Sequence, residues 1–573
     1  MSGRRIGVYI CYCGGNISDY VDCERVREAI KDEKDVAIAK TAMFTCSDAA
    51  QQEIVDDIQG EKLDALVIAS CSPTLHRFTF RGVAKRAALN PYQYIQVNLR
   101  EQCSWAHTDN LEYATEKAIL MVKAGIAKAR YTEPLEEIRI DTVGKVLVIG
   151  AGISGLRAAL ALSDLGFDVF LVENTGSLGG WVAKFGRMYP HDRTGKEIIS
   201  SLVEQVKQRE NITVYTDAEL AEKKGCVGNF DVKLRIKDKE DISLNVGSII
   251  ICTGFESYKP KDGEFTYGNE GVLTLPEFKE LLDNCNGKLQ YKGKQVKAIA
   301  YIYCVGSREQ ESKENNHTYC SRYCCNAAIH ASSLAYDISS RVHQFHLFRD
   351  LRTYGKYELL YEEARKKGAL FLKFNGEEPP QIEKDSGSFK IKVKDVITSG
   401  EELELEADLV VLVTGMVPRQ SDTLIDVLKL PVGLDGFLKE IHPKLRPVET
   451  IIDGVLIAGS CQGPRNSSES VASALAAAAK SASLLMKGYV ELEPLIAILT
   501  KDRVAWDEEF AKACPYSAIE KVEAKGEEIA GINQALCKGC GGCVPLSPDN
   551  TIEIRGYTDR QIKAMIDAMV KEP

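Results

Sequence analysis

Four apolar runs, at positions 6–10, 36–39, 65–69 and 94–97, alternate with polar-faced helical stretches through the first part of the chain. Short runs spaced in this way predict a small parallel sheet. A charged linker carrying Pro134 follows at 130–143. A strand at 145–149 then opens a second segment, in which a helical stretch at 156–165 and a strand at 167–172 continue the alternation. In the last segment, the apolar positions of 558–569 recur at helical spacing and predict a terminal amphipathic helix. The pattern divides the chain at 1–133, 134–490 and 491–573 and places it in the α/β class.

Composition narrows the setting. The chain has 573 residues, room for roughly three to five units of ordinary domain size. It carries 72 basic and 82 acidic residues, a formal charge of −10, which disfavours nucleic acid as a partner. No uninterrupted apolar stretch is long enough for a membrane-spanning helix, so membrane insertion is disfavoured as well. The opening Met1-Ser2-Gly3-Arg4-Arg5 has no secretory leader pattern. A cytoplasmic protein is therefore expected, with its 18 cysteines reduced or metal-bound.

Two cysteine runs near the C-terminus carry the most specific signal. Cys514 stands directly before Pro515, and Cys537, Cys540 and Cys543 follow at the spacing C-x2-C-x2-C. In a two-cluster ferredoxin each C-x2-C-x2-C-x3-C-P run gives three thiolates to one [4Fe-4S] cube and the fourth to the other. Here Val504, Asp507 and Phe510 occupy the triplet of the first run, and Ser547 replaces the fourth ligand of the second. The four survivors form one complete ligand set, which reads as a ferredoxin-like α+β module with a single cluster. Structural zinc is the alternative, although zinc sites usually come as two separated pairs.

Gly150-Ala151-Gly152-Ile153-Ser154-Gly155 links the strand at 145–149 to a helical stretch. Glycines there permit a tight turn, approach of backbone amides to a pyrophosphate and close helix-on-strand packing, with the helix N-terminus toward the phosphates. Glu173, followed by Asn174, ends the next strand, where an acid binds ribose hydroxyls. Three further features favour FAD over NAD: Leu178-Gly179-Gly180, two apolar strands ending in Thr253-Gly254 and Thr414-Gly415, and Gly459-Ser460 ahead of an alanine-rich helix at 471–485. These residues resemble the two-dinucleotide-binding-domain flavoproteins of the thioredoxin reductase group, which implies a Rossmann-type FAD domain. That group usually has Gly-Asp at the position of Gly459-Ser460, so the contact to the flavin ribityl chain departs here.

The second glycine fingerprint, for NAD(P)H, is missing. A strand at 298–303 runs instead into Cys304-Val305-Gly306-Ser307-Arg308, and Cys320, Cys324 and Cys325 follow. These four cysteines suggest a cluster where nicotinamide would otherwise lie; a vicinal disulfide at Cys324-Cys325 and buried structural thiols are the alternatives. In the first segment Cys11 and Cys13, then Cys46, Cys71 and Cys103, follow successive strands. Ligands in open parallel sheets gather at the carboxyl ends of strands, so these side chains are candidates for another cluster. Cys23 falls in a helical stretch and reads as a bystander. A nucleophilic Cys71 assisted by His76 is the competing reading. Arg352 and Lys356 are candidates for tuning the flavin, and His191 reads as a surface histidine.

Taken together, Cys11-Tyr12-Cys13-Gly14-Gly15-Asn16-Ile17, Phe44-Thr45-Cys46-Ser47, Ala69-Ser70-Cys71-Ser72-Pro73, Arg100-Glu101-Gln102-Cys103-Ser104-Trp105, Cys304-Val305-Gly306-Ser307-Arg308 and Tyr319-Cys320-Ser321-Arg322-Tyr323-Cys324-Cys325 resemble the A-type subunits of heterodisulfide reductase over nearly the whole chain. The resemblance implies an oxidoreductase component with FAD and three [4Fe-4S] clusters, in which the flavin splits an electron pair between two paths by bifurcation, or joins them by confurcation. It also implies Cys46, Cys71, Cys103 and one of Cys11 or Cys13 as ligands in the first segment. Implied partners are iron-sulfur subunits of the B and C type, a hydrogenase, formate dehydrogenase or NADH-oxidising module, and ferredoxin, in a dimer of assemblies. Many members carry a second ferredoxin module inside the flavin segment and two clusters in the terminal one. This chain has only the scattered Cys226, Cys252 and Cys285 between Gly180 and Cys304, and one terminal cluster set. A linear electron relay and a structural scaffold are the other functional readings.

Overall fold

The computed structural model describes residues 3–190, 193–285, 287–310, 317–419, 421–501, 503–524, 526–547 and 550–570. The chain forms two units, one joining Met1–Arg139 to Glu491–Pro573 and the other comprising Ile140–Val490.

In the first unit the strands Ile6–Cys11, Val36–Ala42, Ala65–Ser70 and Tyr94–Asn98 form a parallel sheet in the spatial order second, first, third, fourth. The two central strands are buried along their whole length because helices cover both faces. Ile6, Val8 and Ile10 point to one side, packing with Val26 and Ile30 of helix Cys23–Ile30 and Ala118 and Val122 of helix Leu111–Ala129. Tyr9, Leu66 and Ile68 point to the other, against Ile54, Ile58, Phe80 and Val83. This alternation is the two-residue period of a pleated strand.

The C-terminal segment adds two antiparallel pairs, Ala497–Leu499 with Ile552–Ile554 and Ile519–Ala524 with Glu527–Ile532. It shares a unit with the first segment, from which the sequence pattern separates it. The amide of Gln561 donates to the Tyr131 carbonyl at 2.8 Å, the Lys128 ammonium lies 3.2 Å from the Tyr557 ring centroid, and Arg81 holds Glu493 through two bonds of 2.8 and 3.0 Å.

The second unit repeats one plan twice. Its first sheet is parallel, in the order Ile212–Tyr215, Asp168–Val172, Lys145–Ile149, Ser248–Ile251, Val455–Ile457. Its second is also parallel, in the order Val272–Thr274, Leu409–Thr414, Ala298–Val305, His343–Phe348, Leu370–Lys373. The chain leaves the first lobe, builds the second, and returns at Val455–Ile457 to complete the first sheet. Each lobe also carries an antiparallel three-stranded sheet. This is a Rossmann-type α/β fold, as expected.

Candidate functional site

A cleft of about 1680 Å³ runs across the second unit. Its first-lobe wall is the turn after Lys145–Ile149. Gly150 has φ +99°, and a Cβ there would stand 2.4 Å from the Cys252 carbonyl oxygen; on Gly155 it would stand 1.8 Å from the Gly150 oxygen. Glycine alone fits both positions, so helix Ile153–Asp164 starts tight against the sheet. Gly152 gives it no side-chain cap, which leaves its first amides for an anionic group. Glu173, 8% exposed, accepts from the Ala151 amide at 2.9 Å and from the Thr175 amide and hydroxyl at 3.1 and 3.0 Å. These donors anchor the carboxylate in the wall, and its further lone pairs can receive a ribose diol.

Farther along, the lining changes from polar turns to rings. Trp181 stacks on Phe255 at 5.7 Å and donates its indole N–H to the Phe255 carbonyl at 2.9 Å. Phe185 and Tyr189 follow from the same loop, and Tyr323, Asn326, His330 and Met416 come from the second lobe.

Cys304, Cys320, Cys324 and Cys325 converge in the second lobe. Cys304 has φ +63°, a left-handed conformation uncommon for a residue with a side chain. Burial and the neighbouring Cys325 push its thiol up to about 11, against the opposing pull of Arg349 and Arg308. Cys324 donates to Cys325; the bond, together with burial, raises Cys324 well above the ordinary thiol range, while accepting it holds Cys325 below that range against the opposing effect of burial, assisted by Arg352 and Arg308. Both are free thiols, not a vicinal disulfide.

Cys11, Cys13, Cys46 and Cys71 gather at the carboxyl edge of the first unit's sheet. Positive φ at Cys13, Gly14 and Gly15 folds the loop back over the strand ends. Burial pushes Cys71 up to about 11; Arg100 opposes this, and Cys13, Cys11 and Cys46 add to it. Cys103 lies apart. The helical turn Arg100–Ser104 carries Arg100 toward Cys13 and Cys71, while the Cys103 thiol donates to the Ala114 carbonyl at 2.9 Å. Cys103, expected among the ligands, is thus placed with its thiol on the Ala114 carbonyl. His76 engages Thr79 at 3.5 Å, and among the described residues no histidine hydrogen-bonds Cys71.

Cys514, Cys537, Cys540 and Cys543 line one small cavity with Pro515, Tyr516 and Ile519. Burial and the neighbouring Cys537 push Cys543 up to about 11.

Among the described residues no group of three or more His, Cys, Asp or Glu side chains stands in metal-holding geometry, the three cysteine nests included. In each nest, a backbone amide donates to a cysteine sulfur: Thr45 to Cys11 at 3.4 Å, Arg322 to Cys320 at 3.3 Å, and Ala497 to Cys537 and Ala518 to Cys514 at 3.3 Å. Such bonds stabilise and tune bound clusters. Arg100 Nε beside the first nest, and Arg308 Nη1 and Arg349 Nε beside the second, are buried with no hydrogen-bond partner among the described residues.

Residues 144–307 match the Pyridine nucleotide-disulphide oxidoreductase family. The A-type iron-sulfur subunit 2 of the CoB–CoM heterodisulfide reductase of Methanopyrus kandleri is 35% identical over 613 aligned positions that cover 92% of each chain. The chain belongs to the family of heterodisulfide reductase A-type subunits. It is an oxidoreductase component. Another member, the A-type subunit of the H(2):CoB-CoM heterodisulfide,ferredoxin reductase of Methanothermobacter marburgensis, is 33% identical over 659 positions, covering 100% of this chain and 98% of its own. That alignment is longer than the 573 residues here, so the relative carries segments this chain lacks. Among solved structures, T. acidophilum thioredoxin reductase aligns with 60% of this chain and 99% of its own at 18% identity and a TM-score of 0.39.

In this member of the heterodisulfide reductase A-type family, the cleft is lined by Gly150, Gly152, Ile153, Ser154, Glu173, Asn174, Gly179, Gly180, Thr253, Gly254 and Ser460. Gly155 and Gly459 lie behind the lining; a Cβ on Gly459 would stand 2.3 Å from Ser154 Oγ. Thr414 and Gly415, expected at the flavin, are not among the residues lining the cleft. They end a strand of the second sheet, where the Gly415 amide donates to the Val305 carbonyl at 2.9 Å and Gly415 packs against Gly306, Ser307 and Ser321, bracing the loops of the second nest. Lys356 lines the cleft, Arg352 flanks Cys325, and His191 lies outside the described residues. Tyr323, Asn326, Ala327 and His330 escaped the sequence reading. Their spacing of three, four and seven marks one face of a helix, the signal that could have found them.

Proposed function

We propose that the chain is an FAD- and [4Fe-4S]-containing electron-transfer subunit of a heterodisulfide-reductase-like complex, working by flavin-based electron bifurcation or confurcation. One observation carries this reading: Cys324 and Cys325 of the second nest stand on the same helical turn as Asn326 of the cleft wall. A bound flavin exchanges electrons in pairs or singly, whereas a [4Fe-4S] centre takes one, so a cluster beside the ring offers a one-electron exit.

The side chains supply position and insulation. Gly150, Gly152, Ser154 and Glu173 hold the dinucleotide end, and Trp181, Phe185 and Tyr323 shield the ring end from water. The proposed ligand sets are Cys11, Cys13, Cys46 and Cys71; Cys304, Cys320, Cys324 and Cys325; and Cys514, Cys537, Cys540 and Cys543. Three distinct cysteine sets support a branched path. Partner subunits of the B and C type, with a hydrogenase, formate dehydrogenase or NADH-oxidising donor and ferredoxin as a further partner, belong to the same proposal, as do a cytoplasmic location and a dimer of assemblies. The exposed Ile562, Ile566 and Met569 of helix Asp559–Val570 suit such docking.

Iron, sulfide and flavin analysis of anaerobically purified protein tests the cofactor set, with one FAD and about twelve iron atoms expected from three four-iron clusters. Flavin-free or iron-free protein overturns it. The lone cluster set in the terminal module favours a second reading, a linear relay. In the assembled complex, bifurcation requires low-potential acceptor reduction to stop when the high-potential acceptor is omitted; a relay continues.

A further inference from the structure

Asn326 is 7% exposed and lines the cleft, and neither its amide nitrogen nor its oxygen has a hydrogen-bond partner among the described residues. Buried carboxamides are ordinarily paired, because an unmade bond leaves the full desolvation penalty standing. The pair of orphaned atoms therefore points to a ligand edge that supplies an acceptor and a donor side by side. We propose that this edge is the imide of the isoalloxazine, and that Asn326 pairs with it and so turns the pyrimidine half of the ring toward the second thiol nest. The inference rests on the flavin reading above and deepens it.

Three observations favour the imide over other parts of FAD. Glu173 and the uncapped helix N-terminus claim the adenosine and phosphate end, which leaves the ring for the aromatic end where Asn326 stands. A planar carboxamide matches a planar C=O/N–H/C=O edge at two points, whereas the dimethylbenzene edge offers no hydrogen bond. Asn326 also directly follows Cys325 within helix Cys324–Ile338, so a ring held by this amide is held against the nest by the same helical turn.

The test uses the full chain, purified without oxygen, stripped of FAD and refilled with either FAD or FAD methylated at ring N3. The methyl group removes the imide donor and leaves the rest of the ligand intact. Wild type should bind the methylated cofactor at least about tenfold more weakly, read by quenching of flavin fluorescence. Asn326→Leu should bind FAD at least about tenfold more weakly than wild type and lose most of that discrimination, with iron content unchanged. Equal affinity of wild type for the two cofactors would overturn the proposal, as would undiminished discrimination in Asn326→Leu. The wild-type comparison stands even if the variant does not fold. A chain that takes up neither cofactor overturns the flavin reading itself, a different result from uptake without discrimination.

Discussion

Glu173 accepts a hydrogen bond from the Ala151 amide at 2.9 Å, tying the acid at the end of one strand to the glycine turn at the end of its neighbour. The parallel register that sets Ile149 beside Val172 brings the two together. The proposed ribose-binding acid and phosphate-binding turn are thus held as one preformed corner.

Replacing Glu173 by Ala removes that tie and leaves the buried Ala151 amide without its acceptor. Charged hydrogen bonds of this kind are worth about 1.5–3 kcal/mol, so FAD affinity should fall roughly 10- to 100-fold. Titration of flavin-free protein with FAD measures it. An unchanged dissociation constant would remove Glu173 from the site.

The roles of Cys46 and Cys103 in the first unit can be separated by serine replacement. Cys46→Ser should lower the iron content by about four atoms, the loss of one cube. Cys103→Ser should keep the full complement, since that side chain bonds the Ala114 carbonyl and not the nest. Iron loss in Cys103→Ser would reinstate it as a ligand.

Gly539 stands between Cys537 and Cys540 at φ +61°, and a Cβ there would come within 2.0 Å of the Leu495 carbonyl oxygen. Gly539→Ala should therefore push the loop away from Cys514 and Cys543 and remove the third cluster while leaving the flavin bound. Electron paramagnetic resonance of the reduced protein would show one cluster signal fewer. A spectrum identical to wild type would mean that the loop absorbs the side chain.

Lys128 is 5% exposed, and burial lowers its pKa from 10.5 to about 8. Between those values the unfolded chain binds more protons than the folded one, so stability should rise as pH goes from about 8 to 10.5. Below about 8 both states are charged, and the folded state carries the whole burial penalty. The Tyr557 ring beneath the ammonium opposes the shift and limits the gain. Urea denaturation of wild type and Lys128→Met across this range checks it: the difference between the two should shrink or reverse toward high pH. A constant difference would refute the buried neutral amine.

Much of the site is legible from spacing because its pieces are local. Cys537, Cys540 and Cys543 lie within one short loop, and Gly150 to Gly155 fill one strand-to-helix turn, so neighbours in sequence are neighbours in the site. The first nest is legible for a related reason, since parallel strands deliver Cys11, Cys46 and Cys71 to a common edge.

Where spacing and placement differ, a rotation or a long-range contact decides. Cys103 follows its strand as the others do, yet the turn Arg100–Ser104 aims it at helix Leu111–Ala129. Thr414-Gly415 has the same local pattern as Thr253-Gly254 but belongs to the other sheet, and so braces a thiol loop instead of lining the cleft.

The sequence by itself determined the candidate chemistry: which side chains are proposed to hold clusters and which turn is proposed to receive a pyrophosphate, because both depend on residue type at short spacing. Tertiary structure alone decided that Asn326 faces the cleft beside the second nest, and that the first and last segments of the chain form one unit. Both depend on which helix face meets which neighbour, and contacts between residues far apart in the chain leave no mark in local periodicity.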